Sequence, residues 1–128
     1  MSTLEHTRLY HSEEPSTAQR EALVSGRIPV AVYGLGKMGL PLAAVYADVT
    51  GNVVGADIDP QVVETVNHGG CHVKREPGLS TLVSELNKQD ALSAVADPSL
   101  AAKEASIHVI IVPTPITNEN QPDLSILQ

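Results

Sequence analysis

Short apolar runs alternate along this chain with longer stretches in which apolar residues recur at helical spacing. The short runs predict four buried strands, at 28–33, 53–56, 91–96 and 107–112. The longer stretches, mostly bounded by Pro, Gly or Asp signals, predict helices at 37–49, 60–66, 79–87 and 99–105. Strands that alternate with helices form parallel sheets joined by right-handed crossovers. We therefore expect an α/β fold, a Rossmann-like doubly wound parallel sheet.

The first 27 residues form a polar leader outside this alternation. Acidic residues and Pro15 precede a short apolar stretch that stops at Gly26, which predicts one short surface helix in 1–27, with a flexible tip before it. The folded domain then occupies 28–128. A complete doubly wound domain normally has about six strands, whereas this pattern predicts about four, so we expect the domain to be truncated at its C-terminus. The run 107–112 would then have an exposed apolar edge.

Composition and charge argue against several classes of function. The chain has no Trp or Phe to stack on nucleic-acid bases, and its net charge of −7 opposes binding to a phosphate backbone. Its one cysteine, Cys71, rules out an internal disulfide. No apolar run is long enough for a signal peptide or a membrane span. We therefore expect a cytoplasmic protein that binds neither nucleic acid nor membrane.

A glycine-rich loop between the first strand and the next helix is the candidate cofactor site. It consists of Gly34-Leu35-Gly36-Lys37-Met38-Gly39. In this arrangement the first glycine allows a tight turn, the second lets a pyrophosphate approach backbone N–H groups, and the third lets the helix pack on the strand. The helix N-terminus adds unpaired N–H groups and a positive dipole end. We expect all six residues to bind the cofactor, with the Lys37 side chain pointing to solvent.

Asp57 is the second element of this candidate site. It ends the second strand, 18 residues after Gly39, close to the spacing of about 20 at which an acidic residue binds the adenosine ribose. A carboxylate there accepts hydrogen bonds from the ribose hydroxyls and repels a 2′-phosphate, so the sequence predicts NAD rather than NADP. The alternative is a helix N-cap or a turn at the strand end. Asp59, directly before Pro60, is the expected N-cap.

Five ordered segments from Ile28 onward carry a family resemblance: VAVYGLGKMGLPLA, VVGADIDP, EPGL at 76–79, IIVPTPI at 110–116 and QPDLS at 121–125. Together they resemble the N-terminal domain of the UDP-glucose/GDP-mannose (nucleotide-sugar) dehydrogenase family, in particular its members that act on UDP-N-acetyl-D-mannosamine. Enzymes of this family oxidise the C6 primary alcohol of a nucleotide-bound sugar to a carboxylate and reduce NAD⁺. The resemblance therefore implies an NAD-dependent dehydrogenase with a UDP-sugar substrate, and a homo-oligomer in the intact enzyme.

The resemblance also implies roles for individual residues. Besides the loop glycines and Asp57, it implies that Thr114, between Pro113 and Pro115, lies beside the cofactor and the reacting carbon. Thr114 is thus the candidate catalytic residue, and Pro113 is a further candidate cofactor contact. The alternative is a rigid strand-ending turn in which Thr114 bonds its own backbone. Glu76 either lines the cofactor side of the cleft or is an exposed loop acid.

The family's catalytic cysteine and lysine and its sugar pocket correspond to segments after Gln128, so we expect the 128-residue chain alone to be inactive. Cys71 does not match that nucleophile and is expected to be a structural or incidental thiol. His68, Cys71 and His72 do not predict a metal site, because Gly69-Gly70 break any shared helical face and no fourth ligand is near. His108 lies in an apolar strand and is expected to pack in the core.

Two other functions remain open at this point. β-Hydroxyacid dehydrogenases carry a similar GLGxMGxP loop, although they lack the EPGL and VPTP segments. A non-catalytic NAD-binding module is the second alternative. A P-loop nucleotide hydrolase is not indicated, because the GxxxxGK[ST] pattern is absent.

Overall fold

The computed structural model describes residues 16–112. In chain order its elements are α1 (Ser16–Val24), β1 (Val30–Tyr33), α2 (Gly39–Thr50), β2 (Val53–Ala56), α3 (Pro60–Asn67), α4 (Leu79–Lys88), β3 (Leu92–Val95), α5 (Pro98–Glu104) and β4 (Ile107–Ile110). The strands and helices predicted from residue 28 onward are all present, with bounds that move by one or two residues. No helix in this part of the chain is long and apolar enough to cross a membrane.

The four strands form one parallel sheet in the order β3-β2-β1-β4. β2 and β3 lie on one side of β1, and the chain then crosses back to place β4 on the other side. This reversal creates a topological switch point between β1 and β4, and in open α/β sheets ligands bind beyond the carboxyl ends of the strands at such a point. The expected α/β, Rossmann-like architecture is confirmed.

The main core lies on the face of the sheet covered by α2, α3 and α4. The largest fully buried side chains of this core are those of Val32, Leu35, Leu40, Val66, Val83 and Leu92. The opposite face carries a smaller cluster of Ala31, Val54, Ala56 and Ala101, covered by α5. Because successive residues of a strand point to opposite faces, β1, β2 and β3 each contribute to both clusters, whereas β4 packs only against the main core. The sheet is therefore thickly covered on one face and thinly covered on the other.

His108 is not a core residue, contrary to the sequence-based expectation. It lies exposed on β4, and its Nδ1 is 2.7 Å from the hydroxyl oxygen of Tyr33 on β1. The two rings also stack, with centroids 5.8 Å apart. Side chains alternate along β4, and Ile107 and Val109 point to the well-covered face. His108 and Ile110 therefore point to the other face. An apolar run therefore did not predict burial here, and Ile110 is 59% exposed.

Two short helices begin at the Asp-Pro signals read from the sequence. The Asp59 side chain accepts a hydrogen bond from the N–H of Gln61 and caps α3, so its predicted N-cap role is confirmed. Asp97 caps α5 in the same way, through the N–H and hydroxyl of Ser99. These two hydrogen bonds hold the pKa of the Asp97 carboxyl below its ordinary value. Both caps lie at the carboxyl-end side of the preceding strand and fix where each helix departs from the sheet.

Candidate cofactor site

The glycine loop begins with a tight turn at the carboxyl end of β1. Gly34 has a φ of +98°, and a Cβ at this position would overlap the carbonyl oxygen of Ile111. The Gly34 N–H donates to the carbonyl of Ala56 at 2.8 Å, and the N–H of Ile111 donates to the carbonyl of Tyr33 at 2.8 Å. Residue 34 must therefore lack a side chain for two reasons, its left-handed backbone and the close approach of the chain that leaves β4.

The other two glycines of the loop differ in what surrounds them. Gly39 is the first residue of α2, and a Cβ there would overlap the carbonyl oxygen of Gly34, so the helix starts directly against the turn. Gly36 is exposed, and a Cβ there would meet no atom within 4 Å among the described residues. Internal packing thus explains Gly34 and Gly39 but not Gly36. Among residues 16–112, nothing occupies the space beside Gly36.

Backbone N–H groups without partners lie between this open space and α2. Within residues 16–112, no acceptor pairs with the N–H of Gly36, Lys37 or Met38, and no side chain caps the helix. The carbonyl of Gly36 accepts from the N–H of Leu40 at 3.1 Å, which continues the helical pattern back into the loop. Unpaired N–H groups at a helix N-terminus carry partial positive charge and attract anions, phosphate groups among them.

Leu35 lies in the loop but directs its side chain into the core. The side chain is fully buried and packs on β2 at Gly55, where a Cβ would lie 2.6 Å from its Cδ1. Only the backbone of Leu35 is therefore placed to interact with a ligand or with the groups that shape the loop. That all six loop residues bind the cofactor stays a prediction, and for Leu35 it concerns the peptide groups alone.

Three side chains in or near the loop are exposed. Lys37 is exposed, as the sequence predicted. Met38 is 67% exposed, and Ile58, directly after the second strand's acidic residue, is 87% exposed. Sequence reasoning missed Ile58, because an isolated apolar residue beside Asp has no distinctive pattern. Met38 lies in the loop itself and Ile58 follows Asp57, so both exposed apolar side chains lie close in the chain to the candidate binding groups.

The carboxylate of Asp57 joins the end of β2 to the glycine loop. Its Oδ2 accepts a hydrogen bond from the N–H of Leu35 at 2.9 Å, and its Oδ1 accepts from the N–H of Asp59 at 2.9 Å. The second bond is the strand-end turn considered as an alternative role. The first bond was not foreseen, and it shows that Asp57 organises the loop as well as its own turn. The half-buried carboxylate keeps lone pairs beyond these two bonds.

His72 also contacts the loop, which the sequence did not predict. Its Nε2 is hydrogen-bonded to the carbonyl oxygen of Leu35, 37 positions earlier in the chain. Its neighbours have different partners: His68 Nδ1 pairs with the carbonyl of Glu64, and the Cys71 thiol pairs with the carbonyl of Val73. Within residues 16–112 no group of three potential ligands is placed to hold a metal ion.

The EPGL segment has a structural role in the described chain. Gly78 has a φ of +80° and is the N-cap residue of α4, a backbone conformation that favours glycine. Leu79 follows it into the core. The Glu76 side chain is exposed, whereas its carbonyl accepts from the N–H of Leu79 at 3.2 Å. This segment turns the chain into α4.

Two predicted site residues, Pro113 and Thr114, lie outside the described residues, so their roles remain predictions. Val112 is the last described residue, and its Cγ1 would lie 3.5 Å from a Cβ at Gly34. The end of β4 and the glycine loop therefore meet at the switch point of the sheet. Within residues 16–112, the unpaired N–H groups, the open space beside Gly36 and the nearby Asp57 carboxylate fit the pyrophosphate and ribose of a dinucleotide.

Comparison with known proteins gives a consistent family match. Residues 28–128 match the model of the UDP-glucose/GDP-mannose dehydrogenase family, NAD binding domain. The NDP-N-acetyl-D-galactosaminuronic acid dehydrogenase of Ralstonia nicotianae is 39% identical over 99 residues, covering 77% of this chain and 22% of that protein. The UDP-N-acetyl-D-mannosamine dehydrogenase of Campylobacter jejuni is 38% identical over 100 residues, covering 77% and 23%. The chain thus spans less than a quarter of the length of these relatives.

Solved structures show the same similarity in three dimensions. A UDP-D-ManNAc dehydrogenase from Pyrococcus horikoshii superposes with a TM-score of 0.70 at 33% identity, covering 78% of this chain and 23% of that one. A GDP-mannose dehydrogenase from Pseudomonas aeruginosa, crystallised as a ternary complex, gives a TM-score of 0.72 at 25% identity, covering 78% and 23%.

Proposed function

Since this chain belongs to the UDP-glucose/GDP-mannose dehydrogenase family, whose NAD-binding domain it matches over residues 28–128, we propose that its glycine loop binds the pyrophosphate of NAD and Asp57 binds the adenosine ribose. The observation that carries this proposal is the Asp57–Leu35 hydrogen bond of 2.9 Å. It places a carboxylate directly beside the loop with the unpaired N–H groups. The two binding groups are therefore held at a fixed separation before any ligand arrives.

The loop supplies the pyrophosphate site. A pyrophosphate is a dianion at neutral pH, and the N–H groups of Gly36, Lys37 and Met38 provide donors without partners in the described chain. Because Gly36 has no side chain, the phosphate oxygens can approach the backbone to hydrogen-bond distance. The exposed Lys37 ammonium adds a general positive charge, although its side chain is not required for the approach.

Asp57 supplies the ribose site and selects between the two nicotinamide cofactors. Each of its carboxylate oxygens already accepts one backbone N–H, and each has capacity for a ribose hydroxyl as well. A 2′-phosphate in the same place would bring like charges together, which disfavours NADP. Ile58, next to Asp57 and largely exposed, provides apolar surface for the adenine ring.

The whole protein is proposed to be a dehydrogenase that oxidises the C6 alcohol of a nucleotide-linked sugar to the carboxylate. Its relatives named for N-acetylated sugars, at 38–39% identity, support a UDP-N-acetylhexosamine such as UDP-N-acetylmannosamine as the substrate. Bound NAD supplies the hydride acceptor. Thr114, which follows β4 by four residues, is the proposed catalytic contact beside the reacting carbon. The same relatives favour this function over that of a β-hydroxyacid dehydrogenase.

A titration of the 128-residue chain with NAD, NADP and ADP-ribose tests the cofactor site. We expect saturable binding of NAD and of ADP-ribose, since both carry the adenosine and the pyrophosphate, and weaker binding of NADP. Isothermal titration calorimetry measures all three. A folded chain that binds neither NAD nor ADP-ribose at millimolar concentration would contradict the proposal.

A further inference from the structure

The His72 side chain is hydrogen-bonded to one peptide group of the glycine loop. Its ring Nε2 is bonded to the carbonyl oxygen of Leu35, and His72 itself is half-buried in the segment between α3 and α4. A carbonyl oxygen can only accept a hydrogen bond, so the proton lies on Nε2 and the ring is the donor. The bond links two segments that are distant in the chain.

The bonded carbonyl belongs to the same peptide unit as the N–H of Gly36. In a planar trans peptide the C=O and the N–H point in opposite directions. By fixing the Leu35 carbonyl, the imidazole therefore fixes the direction of the Gly36 N–H, away from His72 and without an acceptor among residues 16–112. A hydrogen bond accepted by the carbonyl also polarises the amide and strengthens its N–H as a donor.

The preceding peptide unit is held separately, because the N–H of Leu35 donates to Asp57. Two consecutive peptides of the loop are thus oriented by two side chains that come from different parts of the fold. Asp57 lies at the end of β2, and His72 follows α3. The loop conformation is determined from outside the loop, in addition to its glycines.

The segment that carries His72 is itself anchored. Asn67, at the end of α3, exchanges two hydrogen bonds with the backbone of Ala94 on β3, at 2.9 and 2.8 Å. The Cys71 thiol donates a hydrogen bond to the backbone carbonyl of Val73. The side chains of Cys71 and Val73 both pack against the main core. These hydrogen bonds and contacts on both sides of His72 fix the position of its imidazole relative to the loop.

The other ring nitrogen of His72 makes an unfavourable contribution to folding stability. Nδ1 is buried and has no hydrogen-bond partner among the described residues. A buried polar atom without a partner is unfavourable, and an apolar ring of similar size would avoid that penalty. The Nε2 bond to the loop is the feature that an apolar ring would lose.

We propose that His72 is a positioning residue that aims the Gly36 N–H at the pyrophosphate of the dinucleotide. This inference rests on the proposed NAD site. His72 affects binding of the pyrophosphate, whereas Asp57 binds the adenosine half of the ligand. His72 acts through the Leu35–Gly36 peptide and does not itself touch the ligand.

Three variants of the 128-residue chain test the inference, each titrated with ADP-ribose and with adenosine. His72→Phe keeps a ring but removes the donor, and we expect ADP-ribose to bind about tenfold more weakly, equivalent to about 1.4 kcal/mol, with adenosine affinity unchanged. His72→Gln keeps an N–H donor and restores ADP-ribose binding. His68→Phe, at the exposed end of α3, is the matched control and leaves both ligands unaffected.

The amide resonance of Gly36 provides a readout that needs no ligand. In ¹H–¹⁵N spectra of the free chain, His72→Phe should shift the Gly36 amide strongly, and His72→Gln should return it toward the wild-type position. Equal loss of adenosine and ADP-ribose affinity in His72→Phe, or an unmoved Gly36 amide, would overturn the inference. If the wild-type chain binds neither ligand, the proposed function fails, and the amide shifts still decide whether His72 orients the loop.

Discussion

The carboxylate of Asp57 accepts a hydrogen bond from the backbone N–H of Leu35, with 2.9 Å between Oδ2 and N. Leu35 lies inside the glycine loop, so the residue proposed to bind the ribose also shapes the loop proposed to bind the pyrophosphate. Because the same carboxylate accepts the N–H of Asp59, it is fixed from both sides. A side chain with this double role should affect binding and stability to different degrees, which variants can separate.

Asp57→Ala should weaken NAD binding by about tenfold to a hundredfold, because hydrogen bonds to a charged group contribute about 1.5–3 kcal/mol. Calorimetric titration of the 128-residue chain measures the change. Asp59→Ala is the matched control: it removes the α3 cap, at about 1 kcal/mol of folding stability, without removing the ribose contact. Equal NAD affinities for the two variants would refute the ribose assignment.

Asp57→Asn addresses the choice between the two cofactors. It removes the negative charge while keeping an oxygen acceptor, so the preference for NAD over NADP should fall. The physical reason is that a 2′-phosphate no longer meets a like charge. The ratio of the two dissociation constants, measured in the same buffer, reports the effect. An unchanged ratio would show that some other residue discriminates against the phosphate.

Gly36→Ala should affect the ligand and spare the fold. A methyl group there meets no atom within 4 Å of the described chain, so the free energy of unfolding should change by no more than about 0.5 kcal/mol. The methyl group would occupy the approach to the backbone, and NAD should bind at least about tenfold more weakly. Urea denaturation and calorimetry on one preparation give both quantities. Unaltered NAD affinity would place the pyrophosphate elsewhere.

Gly34→Ala should do the reverse and destabilise the fold by at least about 2 kcal/mol. The φ of +98° alone disfavours a side chain, and the methyl group would overlap the Ile111 carbonyl. Gly51→Ala is the control, since Gly51 has a φ of +71° but a Cβ there would meet no atom of residues 16–112 within 4 Å, and its cost should be about 1 kcal/mol. If the two variants have the same denaturation midpoint, the contact between the loop and the end of β4 is not tight.

Burial of the Tyr33 hydroxyl predicts a loss of stability at alkaline pH. Burial raises the pKa of the Tyr33 hydroxyl above its ordinary value of 10.0. The folded state thus favours the neutral phenol, and the resulting stability is complete below pH 10.0 and is lost as the pH rises through the higher, folded-state pKa. Denaturation of wild type and Tyr33→Phe between about pH 8 and about pH 11.5 measures this. The variant should lose less stability across that interval, and parallel curves would contradict the prediction.

Local signals in the sequence were sufficient for most of the fold. Glycine and proline punctuation located the strands and helices, and Asp59 before Pro60 identified a cap, because these features depend on neighbours within a few residues. The NAD-binding family was also recognisable, since its motifs are contiguous. The predicted position of the glycine loop, between a strand and a helix, is also what the structure has, between β1 and α2.

Features that depend on distant segments were not predictable in this way. The bond from His72 to Leu35 joins positions 37 apart, and no spacing rule connects them. His108 was misassigned because strand alternation says that two faces exist but not which face is well covered. The sequence is compatible with a turn role or a ribose-binding role for Asp57, whereas the structure gives the carboxylate a turn bond and a loop bond together.

The packing of Leu35 on Gly55 has a consequence for how this domain can change over time. A Cβ at Gly55 would lie 2.6 Å from the Leu35 side chain, so a larger residue on β2 would push the loop outward although it is remote from any ligand. A smaller residue at 35 would make room for it. Positions 35 and 55 should therefore be inherited as a pair, and a redesign that transplants the glycine loop onto another sheet must carry a glycine on the neighbouring strand with it.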